Sequence, residues 1–334
     1  MDRRKAVYTR RNVLAGGGAA GLALFAPSFL RAQEKFPSRT MTWIVPFPAG
    51  GTTDLLARIF AQKVGEAFGQ SVVVENAGGG GGSIGADKVA KSAPDGYTLL
   101  LHNVTFSTTT TSLQYTGRAK HSFEDFAPVS LAANVPLVVM CHPSVPAKDL
   151  KEFVAYAKST ETPLFYGSTG PGNVMHLGGE TLKRDTGIKM DHVPFRGAAP
   201  LVQELLSGRI HLGGDQLSTS LAHIKSGSLR ALATLSPKRM EPLPDVPTVR
   251  ELGFSNMELF GWNGFFAPSK TPPAVVAAIQ SEMAKAARDP DVKRRLGEVG
   301  AEVIGSTQEE LAIVLRDQVA KVRPLVEELK LVVQ

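Results

Sequence analysis

From Met41 onward, short apolar runs alternate with stretches that carry apolar residues every three or four positions. The first run is "MTWIVPF". Residues 54–68 follow it, apolar at Leu55, Leu56, Ile59, Phe60 and Val64, with Arg58, Gln62, Lys63 and Glu66 between them. A continuous apolar run bounded by turn residues predicts a buried strand, and the second pattern predicts a helix that buries one stripe. "QSVVVEN", a helical stretch over about residues 83–91, and "YTLLLHN" complete a βαβαβ unit. That order predicts a parallel sheet with right-handed crossovers.

A second block repeats the alternation. "PLVVMCHP" and "PLFYGST" read as strands with "AKDLKEFVAYAKS" helical between them. Residues 175–185 read as a helix, "IKMDHVPF" as a strand, "APLVQELLSG" as a helix, and "RIHLGGDQ" and "LRALATLS" as strands. After a Pro-rich connection, "SPKRMEPLPDVPTVRELG", come "GWNGFFAP" and helices over 273–288, 290–298 and 307–329. Pro324 lies inside the last helix and predicts a kink, because its ring removes one backbone donor. Two such blocks with a helical tail predict an α/β fold of two lobes with a cleft between them, where pockets are expected. The expected division is 33–134 for the first part of lobe 1, 135–240 for lobe 2, and 241–334 for the rest of lobe 1 with the C-terminal helices.

The N-terminus is read as an export signal. "TRRNVL" is a twin-arginine pattern, followed by a Gly/Ala-rich apolar run over 13–26 and then "PSFLRAQ". The run falls short of the roughly 20 residues that a spanning helix needs. Cleavage is expected after Ala32, which makes residues 1–32 the signal peptide and the periplasm the destination.

Removing that segment changes the charge picture. It carries six of the 37 Lys and Arg residues and one of the 31 acids, leaving 31 basic and 30 acidic side chains, or +1. A nucleic-acid partner, which needs a basic face, loses its main support. The single cysteine, Cys141, cannot form an intrachain disulfide, so the fold relies on its core. A chain of this size buries roughly 75% of its unfolded surface.

"AGGGGGSIGADK" contains a literal G-x-G-x-x-G between a predicted strand and helix. A dinucleotide site would also need an acid at the end of the next strand, about 20 residues on. That strand ends "LLLHN", without one. The alternatives are a close-packed turn, or a turn that lines the cleft or helps it close. The seven histidines form no H-x-x-x-H or H-E-x-x-H spacing, and "YGSTGPG" is not a nucleophile elbow.

Candidate chemistry centres on "IVPFPAGGTTDLLAR". Pro46 and Pro48 end the strand, Gly50 and Gly51 leave amides uncovered, and Thr52 or Thr53 is placed to cap the helix. Free N–H groups and a positive dipole end then offer a site for a carboxylate or phosphate. Asp54 either satisfies first-turn amides or grips a ligand ammonium or bridging water. A similar loop, "FYGSTGPGNVMH", stands in the second block. Two loops are needed on energetic grounds. Each charge-assisted hydrogen bond contributes about 1.5–3 kcal/mol, against an association cost of about 4–15 kcal/mol.

At these residues the chain resembles a known family: the periplasmic substrate-binding receptors of tripartite tricarboxylate transporters, the Bug proteins. The similarity runs over about residues 36–329. Its markers, in order, are "IVPFPAGGTTDLLAR", "VVVENAGGGGGSIGADKVAKSAPDGYTLLL", "GSTGPGNVMHLGGETLKRDTGI", "HVPFRGAAPLVQELLSGRI" and "LPDVPTVRELG". The resemblance implies a two-lobed Venus-flytrap fold of the type 2 periplasmic-binding-protein kind, no enzymatic activity and no cofactor. It implies carboxylate ligands held by backbone and water-bridged contacts from both lobes.

Matched by motif, the first loop supplies Phe47, Ala49, Gly50, Gly51, Thr52 and Asp54, and the segment after "LLL" supplies His102 and Asn103. The second loop supplies Ser168, Thr169, Gly172, Asn173 and His176, and Asp215 follows "RIHLGG". His176 is read either as a ligand contact or as a structural helix-start residue. The chain departs from the family at "HVPFRG", where "HVPYKG" is common, and at "GPGN", where "GVGS" is usual. Phe195 lacks a hydroxyl and suits a less polar ligand, and Arg196 is either a surface residue or a ligand clamp. The implied partners are a small carboxylate and integral-membrane permease subunits, with the receptor a monomer. Two rival readings stay open: a periplasmic cofactor-dependent oxidoreductase, and a ligand sensor feeding a signalling kinase.

Overall fold

The computed structural model describes residues 36–333, so the export-signal reading of residues 1–32 lies outside the described residues. The chain runs through β1 (Met41–Val45), α1 (Thr52–Phe68), β2 (Val72–Asn76), α2 (Ser83–Ala90), β3 (Thr98–Asn103), α3 (Thr105–Tyr115) and β4 (Phe126–Asn134). After Val135 and Pro136 come β5 (Leu137–Cys141), α4 (Leu150–Ser159), β6 (Phe165–Ser168), α5 (Val174–Thr186), β7 (Asp191–Pro194) and α6 (Ala198–Leu206). Then follow β8 (Leu212–Gln216), α7 (Leu221–Lys225) and β9 (Arg230–Thr234). The closing elements are β10 (Trp262–Pro268), α8 (Pro273–Arg288), α9 (Pro290–Gly297), β11 (Glu302–Val303) and α10 (Gln308–Glu328), the last with Pro324 in its interior.

These strands make two sheets, one per lobe. The first has six strands in the order β11-β4-β10-β3-β1-β2, and the second has five in the order β7-β6-β8-β5-β9. The expected βα alternation is present, but the sheets are mixed rather than parallel. β1 lies parallel to β2 and β3, whereas β10 lies antiparallel to both β3 and β4. In the second sheet β6 is parallel to β7 and β8, while β5 is antiparallel to β8 and β9. The antiparallel strands β5 and β10 each follow a passage from one sheet to the other. A strand entering from the opposite lobe need not share the direction set by the local βαβ units.

One continuous core cluster takes in residues of both sheets, among them Ile44 and Leu100 of the first and Val139 and Leu212 of the second. α1 buries Leu56, Ile59, Phe60 and Val64 against the first sheet. Each such side chain stabilises the fold by about 1.5–3 kcal/mol. Trp43 and Phe265 meet edge to face at 4.7 Å across that core. In the second lobe Val138, Met140, Leu201, Leu205 and Ile210 form one cluster.

Two elements do not follow the periodic pattern. α3 contains "TTTT", weak helix formers, yet Thr105 through Leu113 are buried. Ser107 Oγ donates to the Val104 carbonyl at 2.6 Å and Thr108 Oγ1 to the Thr105 carbonyl at 3.0 Å, while Thr110 Oγ1 lies 3.1 Å from His121 Nε2 and Ser112 Oγ donates to the Leu331 carbonyl. β4 carries Pro128 and pairs with β10 through two register irregularities. Among the described residues no helix is long and apolar enough to cross a membrane.

Candidate functional site

The turn from β1 into α1 is built to leave donors unspent. Gly51 occupies the N-cap position in extended backbone and has no side chain to cap with. Among the described residues the N–H groups of Thr52 and Thr53 have no hydrogen-bond partner, while the Gly51 carbonyl accepts from Leu55. The threonine hydroxyls are used instead to fix the turn. Thr52 Oγ1 lies 2.5 Å from Ser218 Oγ of the second lobe. Thr53 Oγ1 accepts from Asn103 Nδ2 at 3.3 Å.

Asp54 is turned away from the opening. Its carboxylate accepts from the Gly50 N–H at 3.0 Å, from Arg58 Nε at 3.0 Å and from Asn76 Nδ2 at 2.9 Å. Burial works to raise its pKa, but the bonds from Arg58, Gly50 and Asn76 outweigh it and hold the carboxyl below its usual range. Of the two roles the sequence allows, Asp54 performs the structural one, locking the turn.

The second lobe meets this turn with α6. Gly197 sits at the N-cap of α6 with φ +102°, and Pro200 is the third helical residue. A Cβ at Gly197 would lie 3.0 Å from the Pro48 ring of the first lobe, so glycine is required by both conformation and close approach. Among the described residues the Ala198 and Ala199 N–H groups have no partner either. Two uncapped helix N-termini, one from each lobe, therefore open onto one narrow cleft of about 50 Å³.

The end of β8 completes the cleft with Asp215 and Gln216. Gln216 Nε2 donates to the carbonyls of Gly261 at 3.1 Å and Val135 at 3.4 Å, which belong to the two passages between lobes. Asp215 is half-buried. Burial pushes its pKa up to about 6, against weaker opposing effects of the Gln216 backbone and of Thr219, whose hydroxyl donates to Oδ2 at 3.2 Å.

Of the residues singled out in the sequence, Phe47, Ala49, Gly51, Thr52, Asn103, Thr169 and Asp215 line the cleft. Gly50, Asp54, His102, Ser168, Gly172, Asn173, His176 and Phe195 do not. His102 is buried, stacked on Phe106 at 4.9 Å and edge-on to Phe47 at 5.2 Å. Burial pushes its pKa down to about 3, so it is a neutral prop beneath Phe47. Ser168 Oγ donates to the Gly170 carbonyl and sits 2.7 Å from His192 Nε2. Asn173 caps α5, accepting from the His176 N–H at 2.8 Å. His176 accepts from the Gly172 N–H at 3.0 Å and stacks on His192 at 3.9 Å. Phe195 packs among the hydrophobic residues of the second lobe.

The second open helix end is thus that of α6, and Thr53, Arg196, Gly197, Ala198 and Gln216 join the cleft. A signal for this was present. "RGAAP" offers no capping side chain ahead of its helix, whereas the asparagine of "GPGN" caps α5 itself.

The glycine run lies where the lobes touch. Thr109 Oγ1 donates to the Gly81 carbonyl at 3.0 Å and to the Gly172 carbonyl at 3.2 Å. A Cβ at Gly81 would stand 2.9 Å from the Pro171 carbonyl oxygen. Among the described residues no group of three or more His, Cys, Asp or Glu could hold a metal ion.

Comparison with known proteins places these features in context. Residues 56–331 match the family described as "Tripartite tricarboxylate transporter family receptor". A Pseudomonas protein, the UPF0065 protein in the tcbD-tcbE intergenic region, is 36% identical over 325 residues, covering 96% of this chain and 95% of the relative. Bordetella pertussis BugT is 32% identical over 290 residues, covering 87% of this chain and 89% of the relative. The solved periplasmic binding protein BugD is similar at TM-score 0.82 and 34% identity, covering 90% of this chain and 100% of that one. MatC from Rhodopseudomonas palustris with bound malate is similar at TM-score 0.81 and 31% identity, covering 87% of this chain and 100% of that one. The R. palustris protein Rpa4515 with adipate is similar at TM-score 0.82 and 33% identity, covering 89% and 99%.

Proposed function

Because this chain belongs to the tripartite tricarboxylate transporter receptor family, we propose that it is a periplasmic receptor that closes two lobes on a small carboxylate and delivers it to a membrane permease. The carrying observation is the convergence of the α1 and α6 N-termini, each with free N–H groups, on one cleft. A carboxylate there meets donors from both lobes and the positive ends of two helix dipoles. Charge-assisted bonds of about 1.5–3 kcal/mol each, drawn from both sides, reach the roughly 8 kcal/mol of micromolar binding after the cost of association. The malate and adipate carried by two similar structures are of this chemical class.

Under this reading the ligand is held by Gly51, Thr52, Thr53, Asn103, Thr169, Ala198 and Asp215, with Arg196 at the rim and Phe47 as an apolar wall. The lobes divide as 33–134, 135–240 and 241–334, in keeping with the passage of the chain between sheets after β4 and again between β9 and β10. The receptor acts as a monomer without a cofactor, and residues 1–32 direct its twin-arginine export.

The test is a thermal-shift screen of the purified chain against mono-, di- and aromatic carboxylates. At a hundredfold excess over Kd, a ligand stabilises the folded state by about 2.7 kcal/mol, which raises Tm by several degrees. A broad panel without any shift would remove the reading. Uptake of the ligand by cells carrying or lacking the receptor then separates transport from sensing.

A further inference from the structure

We infer that Asp215 sets specificity by accepting a hydrogen bond from a donor group on the ligand, so that the cleft prefers carboxylates that also carry an amine or a hydroxyl. This rests on the carboxylate-receptor reading above. In a cleft that offers free N–H groups to an anion, an acid is the outlier. Apart from Arg196 at the rim, the other polar side chains that line the cleft (Thr52, Thr53, Asn103, Thr169 and Gln216) are uncharged.

Asp215 has little to satisfy it. Its one side-chain donor among the described residues is Thr219, on Oδ2. A carboxylate accepts about four hydrogen bonds, so acceptor capacity remains unspent. The cation that lines the same cleft, Arg196, is exposed at its rim and makes no ion pair with Asp215. Burial of the carboxyl adds to the same picture, since an ionised acid held away from water is stabilised by any donor brought to it.

The distances bring both poles within reach of one small molecule. Thr52 at the α1 N-terminus touches Ser218, three residues past Asp215, at 2.5 Å. Asn103 Nδ2 spans Thr53 Oγ1 at 3.3 Å and Gln216 Oε1 at 3.5 Å. A plain dicarboxylate bound here places a second negative charge near Asp215. A ligand with a donor turns that repulsion into a bond.

Calorimetric titration of the purified chain with matched acids decides the matter. Three skeletons serve: succinate, malate and aspartate; glutarate, 2-hydroxyglutarate and glutamate; propionate, lactate and alanine. In at least one skeleton the hydroxy or amino acid is expected to bind at least tenfold tighter than the plain acid. Asp215→Asn is expected to cut that ratio below about threefold. Asp215→Ser provides a second variant should the first fail to fold, and the wild-type ranking stands by itself should both fail. A plain acid binding as tightly as its substituted partners in every skeleton, or a ratio untouched by the substitutions, overturns the inference and leaves the receptor reading intact. No binding by any acid overturns both. Comparing the amino with the hydroxy arm shows which donor Asp215 accepts.

Discussion

Asp54 and Asp215 are both acids near the open N-terminus of α1, and their surroundings give them opposite roles. Asp54 spends its oxygens on Gly50, Arg58 and Asn76 and holds the β1–α1 turn in shape. Asp215 has no such set of donors, and burial lifts its pKa from 3.8 to about 6. Below 3.8 the group is protonated in both folded and unfolded chains and has no effect on stability. As pH rises through the folded value the native chain must release a proton into a poorly solvated site, and stability is lost. The ligand-free Asp215→Asn variant is therefore expected to melt above the wild type at pH 8, by roughly 1–3 kcal/mol, and to match it at pH 4. A melting difference that grew toward low pH would contradict this assignment. His102 illustrates the same principle differently: a histidine beside the β1–α1 turn, made neutral by burial and used to support Phe47.

At the scale of elements, the site depends on which helices leave their first turn open. α5 and α6 both follow a strand and a glycine-containing turn, but Asn173 caps α5 and nothing caps α6. Asn173→Ala is expected to cost about 0.5–2 kcal/mol of stability, the usual loss of a cap, with little change in carboxylate affinity. Gly197→Val is expected to weaken binding at least tenfold, because φ +102° is strained for valine and its Cβ would press on Pro48. Equal effects of both changes on Kd, measured by calorimetry, would show that α5 contributes as much as α6. The exposed amides at the start of α1 were legible in the sequence from Pro-Phe-Pro followed by two glycines, but the expected Thr52 or Thr53 cap was not borne out: Gly51 holds the N-cap position, and both threonines lie inside the helix with their hydroxyls bonded elsewhere. The open end of α6 was harder to see because its signal is an absence: small residues where a capping Asn, Asp, Ser or Thr is usual. The helix α3 was hidden for a related reason. Its threonines have low intrinsic helix propensity, and they are helical in a buried setting where Thr108 bonds back to the preceding turn and Thr109 and Thr110 bond to neighbouring segments.

At the scale of the whole molecule, two passages of chain join the sheets, and Gln216 ties both at Val135 and Gly261. The residue after Asp215 thus links the cleft floor to the segments about which lobes would turn. Small-angle scattering is expected to show a smaller radius of gyration when a carboxylate from the thermal-shift screen is added at saturation. An unchanged radius would mean that binding does not close the lobes. By itself the sequence determined the alternation of strands and helices, the family and the exposed amides of the turn at residues 46–54, because these follow from local patterning, backbone chemistry and short motifs. Only the tertiary structure decided that the sheets are mixed, that Gly81 marks a lobe contact, and that α6 rather than α5 faces α1 across the cleft. It also decided that Asp54 is bound up while Asp215 is left wanting a donor. Those outcomes depend on which distant segments meet, and strand direction, desolvation and the use of a hydrogen bond are properties of that meeting rather than of any stretch of chain.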